Sequence, residues 1–108
     1  MANTTTSTVY ESVIGKKCVI RCTNAGVFFG TVDAVEDGYA VKLSNVRKLW
    51  YWDGAAAVEE LAVNGVKRPQ ECKFTVVVSS MVVTEAVQIL PATDAAIASL
   101  ESVAEWKA

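Results

Sequence analysis

The chain has 108 residues, 52% of them hydrophobic, and carries a net charge of -2 with a pI near 5.0. That describes one small domain with enough apolar content for a core without metal or disulfide staples. It is also too acidic for broad, sequence-independent DNA binding, which draws on many Lys and Arg contacts to phosphate. There is no histidine, so the commonest general base and the commonest transition-metal ligand are missing together.

Met1 to Thr8, rich in Thr, Ser and Asn, reads as a loose tail, and Val9 to Ile14 as a lead-in strand or turn. Lys17 to Cys22 reads as a strand with Cys18, Ile20 and Cys22 on one face and Val19 and Arg21 on the other. Thr23-Asn24-Ala25-Gly26 is a turn by composition. Val27 to Glu36 resumes strand character around Gly30, a residue that marks a bulge or sharp bend inside a strand. Glu36-Asp37-Gly38 reads as a hairpin tip, Tyr39 to Ser44 as the third strand, and Asn45 as a bend into a fourth.

That fourth strand opens the most informative stretch, Arg47-Lys48-Leu49-Trp50-Tyr51-Trp52-Asp53-Gly54-Ala55-Ala56-Ala57, in which two cations stand before three large aromatics. Alternation puts Val46, Lys48, Trp50 and Trp52 on one face and Arg47, Leu49 and Tyr51 on the other. A cation beside an aromatic suits a flat, negatively charged ligand, with a ring to stack on and a positive group for its phosphate. The same residues also suit an ordinary aromatic strand with a solvated cationic edge.

Ala55 to Val63 has good helix formers, with Asp53 as a candidate N-cap, and Asn64-Gly65 stops it. Val66 to Glu71 is a loop holding Lys67 and Arg68. Cys72 to Val78 is a β run, Ser79-Ser80 interrupts it, and Met81 to Leu90 continues until Pro91. Thr93 or Asp94 caps a final helix over 92–108 with Ile97, Leu100 and Ala104 at helical spacing, and Trp106 fastens it to the body. The spacing of Cys18 and Cys22, about 13 Å along a strand, forbids a bond between them. An odd cysteine count with no visible leader and no membrane-length apolar run fits a reducing cytoplasm.

The expected fold class is therefore mainly β: a small barrel over 9–91 with a short inserted helix near 55–63, then a C-terminal helix. The order of strand, turn, glycine-bent strand, Asp-Gly hairpin and strand resembles SH3-like and Sm-like barrels, with Val41 to Asn45 in the place of the third strand. A closer resemblance is carried by Ala25-Gly26-Val27-Phe28-Phe29-Gly30, by Val46 to Ala55, and by Leu61-Ala62, Cys72-Lys73-Phe74, Thr84-Glu85 and Ile89-Leu90-Pro91. These stretches are similar to a family of short phage and prophage proteins carrying a domain of unknown function. The resemblance implies a viral origin and the cytoplasm of an infected bacterium. It brings no catalytic residues with it.

Three functions suit these features. The first is a non-catalytic binding protein that sequesters a nucleotide-derived signal, such as a small cyclic nucleotide, and so blunts bacterial anti-phage defence. In this reading Phe28, Trp50, Tyr51 and Trp52 stack on the ligand, and Arg47, Lys48, Lys67 and Arg68 meet its phosphates. Asn24 and the backbone at Gly26 allow close approach. The second is a protein–protein inhibitor or structural adaptor in which the aromatics and Arg47 anchor an interface. The third is an Sm-like module for RNA or single-stranded DNA. An enzyme is the least supported class, with no catalytic, metal or cofactor site to assign: Ser79-Ser80 has no histidine to activate it, and Lys73 alone does not activate Cys72. Exposed strand edges on so apolar a small chain point to a homo-oligomer.

Overall fold

The computed structural model describes residues 9–36 and 40–107; the tail at 1–8 and the hairpin tip at 37–39 lie outside the described residues. A helical turn at Val9 and Tyr10 buries Val13, and the Gly15 N–H donates to the Val32 carbonyl, which brings the chain onto the sheet. Six antiparallel strands follow: β1 (Lys17–Cys22), β2 (Val27–Glu36), β3 (Ala40–Tyr51), β4 (Lys73–Phe74), β5 (Val78–Val83) and β6 (Ala86–Pro91). The long path runs β5-β3-β2-β1-β6, with β4 paired to the far end of β3. The result is a small, strongly bent β fold with two helices, α1 (Val58–Asn64) and α2 (Asp94–Glu101).

The sheet is buried on both faces. Cys18, Ile20, Cys22, Phe28, Val32, Val41, Leu43 and Val46 fill the inner core with Val83 and Ala86. Val19, Phe29, Leu49 and Phe74 face outward, where Leu61, Ala62, Leu100 and Val103 cover them from the helices and the chain beyond. The alternation of Cys18, Ile20 and Cys22 matches the sequence reading, and burial pushes the Cys18 thiol up to about 11.

β3 is one strand of 12 residues, not two. Asn45, at φ 48°, adds one residue against β2, so Thr31 pairs Ser44 while Phe29 pairs Arg47. The extra residue reverses the alternation, as a bulge does. Val41 and Leu43 point inward before it and Val46 after it, leaving Arg47 and Leu49 to face outward. Gly30 sits opposite this bulge, and a Cβ there would lie 2.7 Å from Val46 Cβ and 2.9 Å from Val46 Cα. Gly30→Ala is therefore expected to cost about 1–3 kcal/mol of stability, measured by chemical denaturation, because β2 and β3 must separate to admit it.

Elsewhere the elements are shorter than the sequence suggests. α1 starts at Val58 with Ala57 as an uncapped N-terminus, and Asp53 is engaged by Arg68 rather than capping. Cys72–Val78 is not one strand. β4 holds only Lys73 and Phe74, Val76 and Val77 are exposed, and Ser79-Ser80 lies within β5 instead of breaking it. α2 is capped by Thr93, whose Oγ1 accepts the Ala96 N–H. It stops at Glu101 although apolar spacing continues, because Val103 gives its carbonyl to Arg47 and the Trp106 N–H donates to the Phe74 carbonyl. Residues 102–107 thus turn out of the helix and form a strap that pairs at Glu105 with Phe74.

Candidate ligand-binding site

The end of β3, β4 and the strap meet at one corner of the molecule. Trp50 is 53% exposed and Trp106 42%, and their rings stack with centroids 4.8 Å apart at 23°. The Lys73 ammonium lies 5.5 Å from both ring centroids. Tyr51, also exposed, pairs with Lys73 across the β3–β4 ladder. The ring stack is worth about 0.5–1.5 kcal/mol beyond area and an exposed cation–π contact about 0.5–1 kcal/mol. Those energies do not by themselves hold a chain end in place.

Arg47 does most of the holding. It is 6% exposed, and its fork donates from Nε to Thr75 O at 3.0 Å, from Nη1 to Val103 O at 2.9 Å and from Nη2 to Phe74 O at 3.4 Å. Its Cζ lies 5.3 Å from the Phe74 ring centroid. Burial lowers its pKa, and the Glu105 carboxylate opposes that shift. A guanidinium with five donors can join two backbone segments at once; here it ties β4 to the strap and sets Trp106 against Trp50.

Beside this corner opens a cavity of about 460 Å³, walled by the 3-10 turn at Pro69–Glu71, by Cys72 and by the strap. Trp106 forms part of its wall and Trp50 does not, so Trp106 is the residue that joins the ring stack to the cavity. Cys72 lies within reach of the Asp53 and Arg68 carbonyls, and burial raises its pKa, the reverse of what a thiolate nucleophile needs. Among the described residues no group of three Cys, Asp or Glu side chains could hold a metal ion, and no helix is long and apolar enough to cross a membrane.

The ten residues singled out from the sequence do not converge. Trp50 and Tyr51 stand at the exposed corner. Arg47, read as a phosphate ligand, is buried with its donors spent on carbonyls. Phe28, read as a stacking ring, is sealed in the inner core, and Trp52 is half-buried against the outer core. Both are corrections with one cause: the double-sided burial of the sheet consumes these rings as packing. Arg68 donates to the Asp53 carboxylate, which holds that carboxyl below its usual range, and Lys67 is exposed beside it. Asn24, Gly26 and Lys48 form a separate group at the β1–β2 turn. Asn24 donates to Glu85 at 3.1 Å, and Gly26, at φ 110°, makes room for the Lys48 stem, whose Cε would lie 2.9 Å from a Cβ there. Sequence reasoning missed Lys73, Gln70, Glu105 and Lys107, and gave Trp106 only a fastening role. The aromatic near the chain end and the cation entering the 72–78 run were the available signals.

Fold and corner together define an Sm-like small barrel with an added aromatic strap. The chain is similar to that of the P. aerophilum SmAP1 heptamer, with a TM-score of 0.50 and 13% identity over 85% of this chain and 99% of that one. A family model described as a domain of unknown function (DUF6948) matches residues 15–100, and the chain belongs to that family. No curated protein matches the sequence.

Proposed function

We propose that the chain is a non-catalytic binding module that holds a nucleotide-derived ligand at the Trp50–Trp106 corner. The observation that carries this reading is the exposed ring stack sharing one ammonium, Lys73, beside an open cavity. A base stacked on such a ring gains about 1–3 kcal/mol whatever its identity, and Lys73 supplies the counter-charge for a phosphate. A cavity of this size is in the range of small-ligand sites, about 300–1,000 Å³. The resemblance to phage and prophage proteins supplies the setting. In the cytoplasm of an infected bacterium, stoichiometric capture of a cyclic nucleotide or related signal blunts the host's defence.

Assembly into a homo-oligomer belongs to the same reading. The outer edges of β5 and β6 are unpaired among the described residues, with Val82 and Val87 exposed on those strands, and the similar SmAP1 chain forms a heptamer. Free edges of this kind invite pairing with a second copy. Light scattering coupled to gel filtration is expected to show a mass several times 11.6 kDa; a monomer at micromolar concentration would remove this part.

The Sm-like fold favours one second reading, binding of RNA or single-stranded DNA. Thermal melting separates the two. A nucleotide present at 100 times its dissociation constant adds about 2.7 kcal/mol of stability. Retention of oligonucleotides that falls steeply with salt, without a response to free nucleotides, supports the polymer instead. No response to either, with a host protein retained on the wild-type chain and lost on Trp50→Ala, makes the corner a protein interface.

A further inference from the structure

The walls of the cavity beside Trp106 carry more chemistry than stacking requires. Trp106 provides an aromatic residue, and Pro69 and Cys72 provide apolar wall. Gln70, Glu105 and Lys107 provide an amide, a carboxylate and an ammonium. The Glu105 side chain makes no ion pair or hydrogen bond among the described residues, although its backbone is fixed by pairing with Phe74. A carboxylate with no hydrogen-bond partner beside an aromatic ring is a reader of hydrogen-bond donors, since it can only accept; its charge also acts on Arg47.

We propose that this cavity is a guanine slot, in which the base stacks on Trp106 and presents its N1–H and N2–H₂ edge to the Glu105 carboxylate. The proposal rests on the binding reading above and adds the identity of the base. Guanine places two donors side by side on its Watson–Crick edge. Adenine and cytosine each set one donor beside a ring nitrogen that accepts, and uracil sets its single N–H between two carbonyls. Against a carboxylate, every base except guanine brings an acceptor lone pair onto an anionic oxygen. The Gln70 amide, both donor and acceptor, can serve O6 or N7.

The electrostatics orient the rest of the ligand. The carboxylate excludes phosphate from the slot, so the phosphate points to the Lys107 ammonium on the cavity wall, and Lys73 lies 5.5 Å from the Trp106 ring centroid. The same arrangement argues against a cationic ligand. Lys73 already holds the position over both indoles, and Lys107 is the cation on the cavity wall, so a cationic ligand would meet an ammonium group at either place. One base with one phosphate fits a cavity of about 460 Å³, which favours a mononucleotide unit over a continuous stacked strand.

The test is calorimetric titration of the full chain with the 5′-monophosphates of guanosine, adenosine, cytidine and uridine. GMP is expected to bind about tenfold or more tightly than the others, and Glu105→Gln is expected to bring all four within about threefold by weakening GMP alone. Equal binding of the four by the wild-type chain would overturn the guanine assignment and leave the nucleotide reading standing. So would a GMP preference that survives Glu105→Gln. No binding of any of the four, with oligonucleotides and cyclic dinucleotides also inert, would overturn both.

Discussion

Arg47→Met is expected to destabilise the fold by roughly 3 kcal/mol, because it orphans one buried and one half-buried carbonyl at about 1–3 kcal/mol each. Those carbonyls belong to Thr75 and Val103; the third, on Phe74, keeps the Trp106 N–H as a donor. For a domain of this size the melting temperature should fall by about 10–20 °C. Arg47→Lys should recover only part of the loss, since one ammonium cannot span β4 and the strap with the geometry of a fork. A readout specific to the corner comes from the two stacked indoles, whose coupled transitions give a circular-dichroism couplet. The folded Arg47→Met chain should show that couplet weakened while its sheet signal is retained. Wild-type stability in Arg47→Met would mean that the strap is held by other contacts.

Trp106→Ala is expected to have the largest effect on ligand capture. It removes the ring that stacks on Trp50 and belongs to the residue lining the cavity, and the loss of one stacked base is worth about 1–3 kcal/mol, or roughly 5- to 150-fold in affinity. The cost in stability should be small, about 1–2 kcal/mol, because Trp106 is 42% exposed and its ring stacks on an exposed Trp50. Trp106→Phe should restore part of the affinity. Trp52→Ala should do the opposite, costing more stability than affinity, since Trp52 packs on the outer core.

The barrel layout was legible because its signals are local. The turn at Thr23–Gly26, the glycine within β2 and the alternation of Cys18, Ile20 and Cys22 each lie within a few residues of what they specify. The role of Arg47 was not legible. Its three carbonyl partners come from 27 to 56 residues downstream, and a cation next to aromatics looks the same whether it meets a phosphate or a backbone. The end of α2 was hidden for a related reason. Apolar spacing through Val103 and Ala104 continues the helical pattern, and only the tertiary claim on the Val103 carbonyl and the Trp106 N–H converts it to a strap. The burial of Phe28 depends on inner-core partners from β1, β3 and β5, which no local pattern reveals. Trp50 and Tyr51 stand out in the sequence, but their neighbours at the corner, Trp106 and Lys73, sit on segments that only the fold brings beside them.

The most direct measurement is tryptophan fluorescence of the wild-type chain titrated with nucleoside monophosphates and cyclic dinucleotides at physiological salt. A saturable quench by at least one of them, absent from folded Trp106→Ala, is the expected result. A flat response to every nucleotide from a chain whose Trp50–Trp106 couplet is intact would contradict a stacking site at this corner.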